Sequence, residues 1–292
     1  MKRGDFLKIL ATLPLLSHME LQSLHKFAAT LSATDTMPLV FFGHGSPMNA
    51  LEQNEFSLQW QQTGKSLPRP QAILCISAHW ETKGTFVTTM KNPPTIHDFG
   101  GFPDALFQVQ YPAPGSPELA HTTQEIITAT EVFADEKWGL DHGTWSVLKH
   151  VYPNADIPVV QLSLDYTKGP EYHYALAKEL SALRNKGVLI IGSGNMVHNL
   201  GRIDWQHPDT GYEWANEANE TFKKWILDDN HQALIDYKKQ GTPFLLSVPT
   251  PEHYLPLLYI LGLKQKNERI SFFNDKTVMG SLSMTSVKIE KI

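Results

Sequence analysis

The feature that most constrains this chain is a series of short, unbroken apolar runs, among them PLVFF, AILCI, IPVV and VLII, separated by helical text with Gly and Pro at the joints. Strands buried on both faces read in this way, whereas a strand with one wet face alternates apolar and polar residues. Such strands alternating with helices specify an α/β fold, here a single large domain with a mostly parallel central sheet flanked by helices. At 292 residues the chain is long enough for one full core of this kind. In open sheets of this class the ligand crevice lies outside the carboxyl ends of the strands, so residues distant in sequence can meet there.

Local signals divide the chain further. Leu51, Phe56, Trp60 and Leu67 form an irregular helical stripe. Ser116 and Pro117 make a helix start, with Leu119, Ile126 and Ile127 on one face. A helix is expected from about Pro170, with Ala175, Leu176, Leu180 and Leu183 spaced along it and Gly187 placed to end it. Further helices are expected in EWANEANETFKKWILDD and HQALIDYKKQG, and the closing ISFFNDKTVMGSLSMTSVKIEKI reads as two strands. Residues 1–36 differ in character and read as an N-terminal extension, either an amphipathic helix or an atypical export signal. KRGDFLK has Gly4 where a twin-arginine signal needs its second arginine, which favours the helix and a cytoplasmic protein over an exported one.

With 25 Lys+Arg against 30 Asp+Glu and a net charge of -5, the chain lacks the basic face that nucleic acid or an anionic membrane requires. No segment reaches the ~18 apolar residues of a membrane span. The one cysteine, Cys75, lies inside an apolar run, which excludes an intrachain disulfide and leaves metal chemistry to other side chains.

Those other side chains are histidines. His44, His79, His198 and His253 each follow an apolar run directly or within about a turn, which puts them at strand carboxyl ends. Gly43 and Gly45 flank His44 and leave its ring unshielded. Ser77 and Ala78 give His79 open space, with Trp80 to wall a pocket. Thr250 as N-cap and Pro251 as first helical residue would set Glu252 and His253 in a first helical turn. A lone histidine after a strand is ordinarily a hydrogen-bonded or exposed residue. Repeated four times with no competing cysteine, the pattern points to a histidine-rich metal site.

The blocks GHGSPMNALE, LPRPQAILCISAHW, PPTIHDFGGFP, YPAPGSPELA, DHGTWSVL, VVQLSLD, SGNMVHNL, TPEHYLPLLY and MGSLSM, in this order, resemble the 4,5-DOPA extradiol dioxygenase branch of the class III extradiol ring-cleavage dioxygenases. The resemblance runs from about residue 37 to 287, so residues 37–292 would be the catalytic domain. It implies an enzyme that opens a small aromatic diol such as L-DOPA beside its hydroxyls, using O2 and one divalent non-haem metal. Fe(II) would serve turnover, with Zn(II) as an alternative occupant. His44, His79 and His253 would be the ligands, with Glu252 as an outer partner or substitute ligand. Three histidines carry one less negative charge than a two-histidine-one-carboxylate set, which favours a dianionic catecholate but holds the metal less tightly.

His198 would be either a fourth ligand or the acid/base on the catechol hydroxyl. His142 in DHGTW is a second catalytic candidate. His97, Trp80 and Phe99 are candidates to bind substrate, along with Phe102. Asp141 or Asp98 would fix neighbouring rings, and Gly100-Gly101 would let a loop close. A zinc-dependent hydrolase or amidase using the same histidines is the competing enzyme class, and a metal-binding protein without catalysis is a third reading.

Overall fold

The computed structural model describes residues 35–292, so the helix or signal expected at the N-terminus lies outside the described residues apart from Asp35 and Thr36. The expected runs become strands β1 (Leu39–Gly43), β2 (Ala72–Thr82), β5 (Val159–Asp165) and β6 (Val188–Gly194). They lie side by side in the order β5-β2-β6-β1, all parallel. Two short strands without a clear apolar run, β3 (Thr85–Thr88) and β4 (Val132–Asp135), extend one edge, and β3 meets β5 antiparallel.

On the other edge, β10 (Ser286–Lys291) runs antiparallel to β1 and β7 (Glu268–Phe273) antiparallel to β10. The closing segment expected as two strands is therefore four. Between β7 and β10, a ribbon of β8 (Thr277–Val278) and β9 (Leu282–Ser283) folds away from the eight-stranded sheet. Its turn holds Met279 at φ 51 and Gly280 at φ 74, left-handed backbone that reverses the chain between the two strands.

Alternate residues of the central strands feed two cores. Leu39, Phe41, Leu74, Ile76, Val188 and Ile190 face one side, and Val40, Phe42, Ile73, Cys75, Leu189 and Ile191 face the other. Both faces are covered, which is why these strands read as continuous apolar runs. Helices α1 (Glu55–Ser66) and α3 (His142–Val151) pack Trp60, Trp145 and Leu148 on the second face. Helices α2 (Pro117–Ile126), α4 (Pro170–Glu179), α5 (Glu213–Leu227) and α6 (Leu255–Gly262) cover the first. Ser116 caps α2 as expected, its hydroxyl accepting from Leu119 N at 3.1 Å. The helix begun at Pro170 stops at Glu179, and a short helix, Ser181–Arg184, precedes Gly187. Among the described residues no helix is long and apolar enough to cross a membrane.

Candidate metal centre and cavity

Each of the four strand-end histidines reaches the carboxyl edge of the sheet by a different local device. His44 follows β1, and its backbone N–H continues the ladder by donating to Gly194 O at 3.0 Å. His79 lies inside β2, within the irregular stretch where pairing with β5 shifts register between Ile76 and Glu81. His198 lies beyond β6, its N–H on Ser247 O at 2.8 Å.

His253 departs from the expected first helical turn. Pro251 to Tyr254 form a turn, and α6 begins at Leu255, with Pro256 occupying the first-turn position where a missing N–H costs nothing. The His253 carbonyl packs onto Gly194, where a Cβ would fall 2.1 Å from that oxygen. Only glycine ending β6 lets the His253 turn seat on the strand.

His44, His79 and His253 bring one ring nitrogen each within 4.8 Å of one another. Their outward nitrogens are tied. Ser193 Oγ gives its proton to Gly143 O at 2.6 Å, so at 2.9 Å it accepts from His44 Nδ1–H. Glu252 Oε1 lies 3.0 Å from His253 Nδ1, and a carboxylate can only accept. These partners put the protons on Nδ1 and leave the Nε2 lone pairs of His44 and His253 free. Asp98 Oδ2 faces His79 Nδ1 at 3.4 Å.

The His44 and His79 Nε2 atoms lie 3.1 Å apart. Two lone pairs face each other comfortably at that separation when both are bound to one cation, as two ligands on one ion with metal–nitrogen bonds of about 2.1 Å would be. The donor set, three neutral imidazoles from three segments, fits a divalent ion of the iron or zinc kind.

Electrostatics keep these rings in the ligating form. Burial first, then the neighbouring imidazoles, hold His44 and His253 well below the ordinary histidine pKa. Burial lowers His79 to about 3, with His142 adding to it, and lowers His198 to about 4 against the opposing pull of Glu252. Burial would raise the Asp98 carboxyl, but the hydrogen bonds and charge of His142 and the charge of His79 outweigh it and leave it below its usual value.

The expected uncertainty between Asp98 and Asp141 resolves by contact. Asp98 accepts from His142 N at 2.8 Å and His142 Nδ1 at 2.9 Å, which fixes that ring. Asp141 instead caps α3, accepting from Thr144 N at 3.0 Å, and takes Ser77 Oγ at 2.7 Å and Gln161 Nε2 at 2.6 Å. The His142 ring lies 3.8 Å from that of His79 by centroids, and His198 stacks on His253 at 3.5 Å and 8°.

These rings floor a cavity of about 610 Å³, within the size range of small-molecule sites. Phe99 and Phe102 wall it, Phe99 standing edge-on to His142 at 5.4 Å. Two expected substrate contacts are corrected. Trp80 follows His79 in the strand and is buried against Trp138, the rings stacked at 5.9 Å, outside the cavity wall. His97 points away as well, its Nε2 on Val109 O at 3.0 Å and its ring among Phe99, Phe107 and Trp145. Nor is His44 unshielded, at 1% exposure; Gly43 is small because Met284 O lies 2.5 Å from where a Cβ would stand.

Ser193 and the apolar wall of Leu200, Ile203, Trp205 and Leu282 were not singled out by sequence. Ser193 carries a faint signal, a hydroxyl between two strand-end glycines. The large apolar residues of the otherwise polar NLGRIDWQHPDTG carry another.

Residues 38–284 match the family described as the catalytic LigB subunit of aromatic ring-opening dioxygenase. A protein of Escherichia coli (strain K12) named 4,5-DOPA dioxygenase extradiol is 49% identical over 265 residues, 89% of this chain and 97% of its own. One of the same name from Beta vulgaris is 35% identical over 85% of this chain and 94% of its own. The crystal structure of an uncharacterized protein from Escherichia coli K12 superposes with a TM-score of 0.77 at 44% identity, covering 87% of this chain and 100% of that one. The chain thus belongs to the family of the catalytic LigB subunit of aromatic ring-opening dioxygenase and is an enzyme of the extradiol ring-cleaving kind.

Proposed function

We propose that the protein opens a catechol with O2 by breaking the ring bond beside the two hydroxyl-bearing carbons. One carbon of that bond becomes an aldehyde and the other a carboxyl, so both oxygen atoms stay in a ring-opened semialdehyde. With L-DOPA the product would be of the 4,5-seco-DOPA type, consistent with the names carried by the bacterial and plant relatives. The observation that carries the reading is the trio of converging imidazoles on the floor of a cavity whose outer walls are aromatic and aliphatic.

His44, His79 and His253 would hold one divalent metal, with Fe(II) supplying the redox chemistry that makes O2 reactive toward a catecholate and Zn(II) able to fill the same donors. Ser193 and Glu252 keep two of those rings in the tautomer that offers Nε2 inward. His198, neutral at pH 7, is in the form that takes a proton from a catechol hydroxyl and returns it later in the reaction. His142, aimed by Asp98, is the second group on the cavity wall able to move a proton or hold a hydroxyl. Phe99 and Phe102 pack on the ring and keep water from it.

The test is anaerobic loading with Fe(II), then addition of L-DOPA or catechol in the presence of O2. Stoichiometric oxygen uptake with a yellow product retaining both labelled oxygen atoms is expected. A fully Fe(II)-loaded enzyme that consumes no O2 with any catechol would refute the reading.

A further inference from the structure

The two walls of the cavity are held in opposite ways. On one side the segment after β6 brings Leu200, Ile203 and Trp205, the last 76% exposed at the mouth, against the ribbon that carries Met279 and Leu282. Backbone bonds stitch the two together. Asn199 N donates to Ser281 O at 3.1 Å, Asp204 N to Met279 O at 2.8 Å and Ser283 N to Val197 O at 3.0 Å. In return Met279 N donates to Pro208 O at 2.8 Å and Gly280 N to Thr210 O at 2.7 Å. Backbone bonded so densely opens only together with the structure around it.

On the other side stand Phe99 and Phe102. Among the described residues, Phe99, Gly100, Gly101 and Phe102 make no backbone–backbone hydrogen bond. The chain is posted at both ends of this stretch. Before it, His97 Nε2 meets Val109 O at 3.0 Å, Trp145 Nε1 donates to Ile96 O at 2.9 Å, and Asp98 accepts from the backbone and ring of His142. After it, Pro103 leads into a short helix, Asp104–Phe107, whose Leu106 is fully buried. The two glycines between the posts are exposed, and a Cβ added at either would meet nothing within 4 Å. Gly101 stands at φ 78, left-handed backbone that glycine enters and leaves freely. Phe99 and Phe102 keep their places by packing, edge-to-face on each other at 5.4 Å, with Phe99 on Phe107 at 5.1 Å. Apolar contacts of this kind are non-directional, and an aromatic ring entering beneath them can take their place.

Resting on the ring-cleavage reading above, we infer that residues 99–102 form a flap hinged at Gly100-Gly101 between the posts Asp98 and Pro103. The flap opens to admit the catechol and closes Phe99 and Phe102 over its ring, while the Trp205 wall stays fixed. Closure keeps water from the reacting ring.

Hydrogen exchange on the Fe(II)-loaded enzyme without O2 reads the flap directly. In the ligand-free enzyme the amides of residues 99–102 are expected to exchange at least ~100-fold faster than those of Asp204 and Gly280. Binding of 4-nitrocatechol, followed by its absorbance, should slow the first set by at least ~10-fold and leave the second unchanged. A variant separates a flap from a fixed wall. Gly101→Ala puts a side chain in left-handed backbone, a strain equivalent to about 5- to 30-fold in an equilibrium constant. In a flap that strain falls on closure, so the KM for catechol should rise by about that factor with the melting temperature unchanged. Gly101→Asn, which tolerates such backbone, should stay near the parent. The inference is overturned by flap amides that exchange as slowly as the Trp205 wall, by flap amides that bound 4-nitrocatechol does not slow, or by a Gly101→Ala variant that melts lower with KM unchanged. Failure of 4-nitrocatechol to bind would instead count against the ring-cleavage reading, and the exchange contrast between the two walls of the ligand-free enzyme would then decide the flap by itself.

Discussion

The two edges of the central sheet bury polar side chains by opposite logics. At the amino edge Arg184 and Glu268 are sealed, with side-chain exposures of 0% and 1%. Arg184 donates to Met37 O at 2.9 Å, to Leu263 O at 3.0 Å and through both terminal nitrogens to Glu268, which also accepts from Gln265 N at 2.7 Å. The charge is matched, and the guanidinium and carboxylate find their partners within the protein. At the carboxyl edge the outward nitrogens of His44 and His253 are matched just as carefully, yet the inward ones face one another. A buried polar group with all its partners in the chain ties elements together, and one whose remaining lone pairs share a focus is prepared for a ligand from outside.

The sharpest way to break this contrast is to truncate each edge. His44→Ala or His79→Ala should abolish divalent-metal binding and oxygen uptake, read by metal stoichiometry and an oxygen electrode. The same substitutions should cost the metal-free protein little stability. Arg184→Ala should do the reverse, losing about 3–5 kcal/mol in urea unfolding because Glu268 is left buried and unpaired, while the folded fraction still binds metal. If the histidine variants prove the less stable in metal-free form, the contrast fails.

Smaller effects sharpen the division of labour at the carboxyl edge. His198→Ala should lower kcat by about 10²–10⁴-fold with metal content retained, as expected of a proton carrier; equal loss of metal would make it a ligand. Glu252→Gln and Ser193→Ala should each weaken metal affinity by about 10–100-fold through their effect on ring orientation.

Metal-free stability should also depend on pH. His79, His173 and His198 have folded pKa values lowered by burial to about 3, 4 and 4. Between those values and about 6.5 the unfolded chain binds protons that the folded chain refuses. Metal-free stability should therefore be complete above about pH 6.5 and fall as pH drops toward 4. Urea midpoints at pH 7, 6 and 5 measure it, and a flat series would show these rings are not held neutral.

Much of the architecture was legible because burial on both faces leaves a direct trace in β1, β2, β5 and β6. The short strands β3 and β4 left none, since four residues carry too little pattern. The turn before α6 was misread as helix because Thr250 and Pro251 make a valid start signal, and a second one, Pro256, lies a turn later. Spacing after strands marked four histidines alike, and the trio was set apart only by what the family resemblance implies; Trp80 and His97 lie off the cavity wall where they were expected. Trp80 follows His79 along β2, where neighbouring side chains alternate between faces, whereas His97 is drawn off the cavity by Val109 O and its aromatic neighbours.

By itself the sequence determined the layer architecture and the family, because apolar runs and ordered motif blocks are properties of the linear chain; histidines after strand ends pointed to a metal site without choosing its donors. Only the tertiary structure decided that Asp98 rather than Asp141 aims His142, that Ser193 sets the His44 tautomer, and that Trp205 stands at the cavity mouth. Those relations join residues separated by 44 and 149 positions, and they exist only once strand order and loop path bring them within hydrogen-bond range.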